Sequence, residues 1–286
     1  MSQVKKVDGI DIHIDGEGEE TIVMIHGWPD TYRMWDAQVA DFKHRYRCVR
    51  FTLPGFDPDS PRRVYSLDAV VRSISYVINA VSQNKKKVIL MLHDWGCVFG
   101  YEYYMRNKQQ VSAIIGVDIG DANSIETKRS RSFSQKLGVS SYQNMLSLAW
   151  AIGGPIGNMI TRSMANKLGA PSVREYIGSQ MNYPYYILSA GEAGSYRNLQ
   201  PFVPKVPMLY IYGVRKPFMF HSNSWLEKIE GRKSNKIVPF NTDHWPMVRQ
   251  PERFNKVVQD WLPTPSAQPE HEGEGGAAAE DEVADG

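Results

Sequence analysis

Two residues that could do chemistry each follow an apolar run: Asp94, in Leu92-His93-Asp94-Trp95-Gly96, and His244, in Asn241-Thr242-Asp243-His244-Trp245-Pro246. A carboxylate is a weak nucleophile, but at neutral pH it needs no deprotonation. It can open a strained or activated carbon–heteroatom bond and form an alkyl ester. Attack on an ester would give an anhydride, so an ordinary esterase gains little from it. The competing reading of Asp94 is structural, since an aspartate before a helix can cap it. A histidine is the usual general base, although a lone histidine is more often a core or surface hydrogen-bonder. Such a base needs a carboxylate behind it to fix its tautomer and stabilise the imidazolium. Asp118 is the candidate, with Asp121 as a weaker substitute. Asp243 adjoins His244 in the chain and is expected to point elsewhere.

Placing these groups takes strands and helices in alternation. Short apolar runs read as strands over Ile10–Ile14, Thr21–His26, Arg47–Thr52, Lys87–His93, Ala113–Ile119, Pro207–Tyr212 and Lys236–Phe240. Helical patterns cover Trp35–Lys43, Ser66–Val81, Cys97–Asn107, Ser224–Glu230 and Pro251–Trp261, with Pro251 and Pro263 as start and stop signals. The alternation implies an α/β fold, and the nearly continuous apolar runs imply parallel strands covered on both faces. Between Asn123 and Pro204 the pattern changes to Ser, Met and Tyr in short helical stretches without strands. An insertion there covers the carboxyl ends of the strands, where open α/β sheets bind ligands. The expected organisation is a core of residues 1–123 and 205–262, a helical cap of 124–204, and a tail of 263–286.

The 286 residues suit one large domain with an insertion, and 42% hydrophobic residues can fill its core. No apolar run approaches the length of a membrane span. The start of the chain, Met1-Ser2-Gln3-Val4-Lys5-Lys6, has no secretory apolar stretch. Cys48 and Cys97 read as buried free thiols, and a cytoplasmic setting is expected. Seven acids and no Lys or Arg fall in 263–286, so the rest of the chain carries a net charge of +9 within a total of +2. The acidic tail is expected to be disordered. The basic residues are scattered and accompany no nucleic-acid motif, so no nucleic-acid partner is expected. No metal or organic cofactor is implied, and oligomeric state has no signature here.

Together "HGWPD" (residues 26–30), "HDWG" (93–96) and "DHWPM" (243–247) resemble the α/β-hydrolase superfamily, within it the epoxide hydrolase and haloalkane dehalogenase group with an aspartate nucleophile. The resemblance runs from about Ile10 to Leu262. It implies an α/β-hydrolase fold, a mostly parallel sheet flanked by helices, with an inserted helical cap. Asp94 then occupies the strand-to-helix elbow usually written G-x-S-x-G, with Leu92 in place of the front glycine. The chain order of nucleophile, acid and histidine makes His244 the base. The backbone N–H groups of Trp28 and Trp95 become the oxyanion hole. His26 is expected to stabilise its loop.

Epoxide hydrolases hold the epoxide oxygen with two cap tyrosines. Ser195-Tyr196-Arg197-Asn198 is similar to their Y-R-N element, and Tyr142 resembles the first tyrosine, with Tyr183, Tyr185 and Tyr186 as rivals. The family's acid usually follows the later strand in a G-x-x-D pattern. Here Gly213-Val214-Arg215-Lys216 puts a lysine in that place, so Asp118 is expected to serve. Dehalogenases often carry the acid where Asp118 stands, but they bind halide with an Asn directly after His-Gly, where this chain has Trp28. The expected function is opening of epoxides on a small apolar-to-amphipathic substrate. The alternatives are haloalkane dehalogenation, another hydrolase of the superfamily, or a non-catalytic small-molecule-binding protein.

Overall fold

Strand burial explains the sheet. Every residue of β3 (Thr21–Ile25) and β5 (Val88–His93) is buried, the pattern of central strands covered on both faces. In the computed structural model, which describes residues 3–82, 86–196 and 198–262, eight strands form one sheet in the order β1-β2-β4-β3-β5-β6-β7-β8. Around β3 and β5 lie β4 (Arg47–Phe51), β6 (Val111–Val117), β7 (Met208–Gly213) and β8 (Lys236–Phe240), and these six strands run parallel to one another. Only β1 (Gln3–Val7) and β2 (Ile10–Asp15) run antiparallel at the edge. β1 is absent from the sequence reading. It is exposed along most of its length, so it lacks the apolar run that marks its neighbours and exists by pairing with β2.

Alternate strand residues feed the two sides of the sheet. On β5, Val88, Leu90 and Leu92 join one apolar cluster, while Ile89 and Met91 join the other. The first side is covered by α2 (Leu67–Val81), α3 (Trp95–Arg106) and α8 (Asn223–Glu230). The second is covered by α1 (Asp36–Phe42) and α10 (Pro251–Trp261), preceded by the short α9 (Pro246–Arg249). α2 begins where Ser66 Oγ accepts from the Ala69 N–H at 3.2 Å, and it buries Val70, Ile74, Val77, Ile78 and Val81 at helical spacing. Cys48 and Cys97 are buried free thiols.

Between β6 and β7 the chain leaves the sheet. It forms α4 (Ile125–Ser130), α5 (Phe133–Ile152), α6 (Gly154–Lys167) and α7 (Tyr183–Ala190), with no strand among the described residues of this stretch. Ser132 and Gln135 close a reciprocal capping box at the start of α5. Among the described residues no helix is long and apolar enough to cross a membrane. The expected acidic tail and Arg197 lie outside the described residues.

Candidate active site

Every parallel strand points its carboxyl end to one rim, and the loops there carry the candidate groups. Asp94 lies between β5 and α3 with φ 52° and ψ −123°. A non-glycine residue at positive φ is strained, and such strain persists only where the surroundings over-determine it. Its side chain makes no cap bond to α3, which removes the structural reading. Close packing sets this turn. A Cβ on Gly27 would sit 2.5 Å from both Asp94 Oδ1 and the Trp95 nitrogen. The missing front glycine is also accounted for. A Cβ on Gly100, one turn into α3, would lie 2.5 Å from a Leu92 methyl. The space normally left by a strand glycine is left by a helix glycine instead.

Both carboxylate oxygens of Asp94 are engaged. Oδ1 accepts from the Trp28 N–H at 2.7 Å, and Oδ2 lies 3.2 Å from His244 Nε2. The Trp95 amide stands beside Oδ1 at the Gly27 contact. His244 follows β8, and its Nδ1 bonds Asp118 Oδ2. Its carbonyl is held 2.9 Å from His93 Nε2. Burial, with the His244 charge adding to it, lowers His93 to about 3, so His93 is neutral and serves as a donor.

Asp118 follows β6 at φ 68°, and its N–H bonds the Ile211 carbonyl of β7 at 2.8 Å. Its Oδ1 accepts from the Gly213 N–H at 2.9 Å and from Lys216 Nζ at 2.5 Å. Lys216 is therefore an ion-pair partner of Asp118, and both side chains are buried. Burial alone would raise Asp118, but Lys216 and His244 outweigh it and hold the carboxyl low. Burial likewise opposes the charge on His244. The two carboxylates at Asp118 and Asp94 overcome it and lift His244 to about 9. Asp94 stays low because His244, His93 and the Trp28 amide outweigh its burial.

Above Asp94 is a cavity of about 240 Å³, walled by Trp95, Val98, Tyr142, Tyr185, Leu188 and Phe220 among others. Burial raises both phenols, Tyr142 and Tyr185, and the Asp94 charge adds to it. They remain protonated donors at working pH. Tyr185 meets the rings of Trp28, Trp95 and Tyr142 at centroid distances of 5.9, 5.4 and 6.1 Å. The structure does not bring Tyr196 to this wall. Its ring packs on Trp95 and Phe99, and its buried hydroxyl finds no partner among the described residues. Tyr196 ends a 3-10 turn at φ 53°, with its ring against α3. Of the other rivals, Tyr183 packs beside Phe56 and Tyr65, and Tyr186 bonds Glu192 at 2.9 Å.

The remaining candidates have structural partners. His26 accepts the Leu53 N–H at Nε2 and bonds the Gly27 carbonyl through Nδ1, both at 2.9 Å. Asp121 binds Ser124, Thr127 and Ser222. Asp243 binds Arg249 and the Trp245 N–H. Trp28 spends its indole N–H on Asn182 at 2.7 Å. Arg131, whose guanidinium stacks over Phe218 and Phe220, and Phe220 itself line the cavity unforeseen. Neither sits in a recognisable motif. A larger cavity, about 490 Å³, opens at the opposite rim beside Ile89, Ser112 and Trp261, but no histidine or aspartate lines it. The smaller one holds Asp94 together with Tyr142 and Tyr185. Among the described residues no cluster of His, Cys, Asp and Glu is arranged to hold a metal.

Comparison with known proteins fits this geometry. A family model described as alpha/beta hydrolase family matches residues 22–257. The chain is 21% identical to epoxide hydrolase 3 of Xenopus tropicalis over 293 residues, covering 90% of this chain and 76% of that one. It is 23% identical to human epoxide hydrolase 4 over 281 residues, covering 90% and 77%. Among solved structures, an epoxide hydrolase variant from Bacillus megaterium superposes with a TM-score of 0.67 at 20% identity, covering 91% of this chain and 99% of that one. A thermophilic esterase from Thermogutta terrifontis superposes at 0.63 and 17% identity, covering 91% and 97%. The shared fold thus spans more than one chemistry, and the groups at the rim must decide between them.

Proposed function

The chain belongs to the alpha/beta hydrolase family, and from that premise we propose that it hydrolyses epoxides through a covalent ester on Asp94. The observation that carries this reading is the carboxylate at the elbow, with one oxygen on the Trp28 amide and the other facing His244 beneath two cavity phenols. Asp94 Oδ2 attacks a ring carbon. The ring oxygen gains negative charge and takes a hydrogen bond from Tyr142 and from Tyr185, which replaces Tyr196 in this role. In the second step His244 removes a proton from water, and the water oxygen adds to the Asp94 carbonyl carbon. Negative charge then develops on Oδ1, against the Trp28 amide and beside the Trp95 amide. Collapse breaks the ester carbon–oxygen bond and restores the carboxylate; the alkoxide of the first step takes the proton that His244 sheds, and the oxygen released in the second takes the water proton held on His244, which gives the diol.

The two steps need different states of His244. With Asp94 ionised the imidazole keeps its proton, at about 9. Forming the ester removes a negative charge 3.2 Å from Nε2, so the imidazole becomes less basic and is released as a base when water must be activated. Asp118 orients it. The α4–α7 segment, residues 124–204, serves as the cap over the substrate.

Single turnover in oxygen-18 water tests the reading. Heavy oxygen is expected in the Asp94 carboxylate. Label confined to the diol would mean direct attack by water and would end the ester mechanism. Panels of epoxides and haloalkanes separate the branches. Halide release without epoxide opening would make the protein a dehalogenase, a reading weakened by the engagement of the Trp28 indole with Asn182. No turnover of either, with tight binding, would leave a binding protein on a hydrolase scaffold.

A further inference from the structure

The helix that lines the cavity from within is apolar on the outside as well. On α5, Phe133, Leu137, Met145, Leu148 and Ile152 are between 40% and 83% exposed. Their spacing places them on one face. The buried residues of the same helix, Val139, Leu146 and Ala149, face the other way. Of the exposed positions of α5, Lys136 alone is charged, and the others are Ser, Gly, Asn and Ala. Ile156 and Met159 extend the apolar surface on α6. Monomeric proteins seldom leave so continuous an apolar strip to water.

Basic side chains outnumber acids around the strip. Lys128 and Arg129 are exposed on α4 at its start. At its far end Arg62 donates to the Trp150 and Ala151 carbonyls and stacks over the Trp150 ring. Glu126 is the one acid between Ala122 and Arg174, a stretch that holds six Lys and Arg. A second copy of the chain would bring the same apolar strip and the same excess of basic over acidic groups, so like charges would meet. A layer of anionic lipid headgroups supplies both the negative charge and an apolar boundary beneath it.

We propose that the outer face of α5 and α6 docks on an anionic phospholipid surface, placing the cavity mouth at the membrane. The same α5 carries Tyr142 and Gln143 into the cavity, and Leu188 and Lys128 stand at its wall. Lipophilic substrates dissolved in the bilayer would enter there without crossing water. The docking is independent of which bond the site breaks, and its failure would leave the proposed chemistry untouched.

The test is co-sedimentation of the full chain with vesicles of phosphatidylcholine, with and without phosphatidylglycerol. Binding is expected to be at least about 10-fold tighter to the anionic vesicles and to weaken with salt. The triple variant Phe133→Ser, Leu137→Ser, Leu148→Ser should lose about 10-fold or more of that affinity while hydrolysing a water-soluble epoxide at the parental rate. The pair Arg129→Gln, Lys136→Gln should remove most of the anionic preference and leave the fold intact, which covers the case in which the triple variant misfolds. No binding to either vesicle, or binding unchanged in both variants, would overturn the proposal. So would a dimer in solution that the triple variant converts to monomer without any vesicle binding, because the face would then be a self-association surface.

Discussion

The rim of the sheet and the helices above it hold their functional groups in opposite ways. At the rim each ionisable side chain is fixed from several directions: Asp118 by Gly213, Lys216 and His244, and Asp94 by Trp28 and His244. In the inserted helices the Tyr142 hydroxyl is held by one long bond, 3.5 Å from Gln143 Nε2, and the Tyr196 hydroxyl has no partner among the described residues. The candidate reacting groups follow strands of the central sheet, while the phenols proposed to meet substrate ride on the inserted helices. Buried side-chain bonds join the regions, one of them from the Trp28 indole to Asn182. Asp30, buried and lifted to about 6 by that burial, accepts from Ser172 of the insertion and from Trp245 beside the histidine. The division predicts that rim substitutions destroy the reaction and that insertion substitutions scale it.

The largest effect is expected at the nucleophile. Asp94→Ala should lower turnover by about 10⁴-fold or more, with an unchanged circular dichroism spectrum. Retention of even a tenth of the activity would break the comparison at its centre. Next comes the acid. Asp118→Asn should slow ester hydrolysis on the order of 10³- to 10⁴-fold and ester formation far less, so the alkyl-enzyme accumulates in a burst visible by intact mass. It also leaves Lys216 buried without a partner, at a cost of about 3–5 kcal/mol in denaturant unfolding. Adding Lys216→Met should return most of the stability and none of the hydrolysis, which separates structural from chemical roles at one carboxylate.

The phenols come third. Tyr142→Phe and Tyr185→Phe should each slow ester formation by roughly 30- to 1,000-fold, the loss of one transition-state hydrogen bond worth about 2–4 kcal/mol. Tyr196→Phe should cost less than about 10-fold, since its hydroxyl lies outside the cavity wall. Reversal of that order would show that the insertion moves to bring Tyr196 inward. The smallest effect is on pH. His244 must be neutral to act as base. Its basicity, raised to about 9 in the free protein, falls on loss of the Asp94 charge. Ester hydrolysis measured by single turnover should therefore rise with pH through a midpoint below 9. Lys216→Met removes a cation that opposes the imidazolium, and the midpoint should move up by about one unit.

The contrast between rim and insertion also marks how much could be read from the sequence. Strands β2 to β8 were legible because burial on both faces forces long apolar runs, and Asp94, Asp118 and His244 each stand just past such a run. β1 was not, because an edge strand needs only a partner. The Trp28 amide could be inferred from the turn after β3, but the exchange between Leu92 and Gly100 joins two elements and leaves no local pattern. Tyr185 and Tyr196 show the limit. Both are aromatic residues in short helical turns, and which one lines the cavity is set by how the turns pack on α3, a tertiary contact with no local pattern. Lys216 was conspicuous as a departure, while its ion pair with Asp118 required the adjacency of β6 and β7.

That ion pair gives the site a property its separate bonds do not. With Asp94 and Asp118 ionised, and Lys216 and the imidazole protonated, the four groups sum to zero. Alkylation of Asp94 deletes one negative charge and leaves the enclosed cluster one unit positive. A weakly hydrated interior tolerates net charge poorly, and the proton on His244 is the one most readily shed to restore neutrality. In a site with the two carboxylates and the histidine but no lysine, the same event moves the cluster from minus one to zero, and the imidazolium is then at its most comfortable. The lysine inverts the sign of the imbalance, so under the proposed mechanism ester formation would itself generate the base that ester hydrolysis requires.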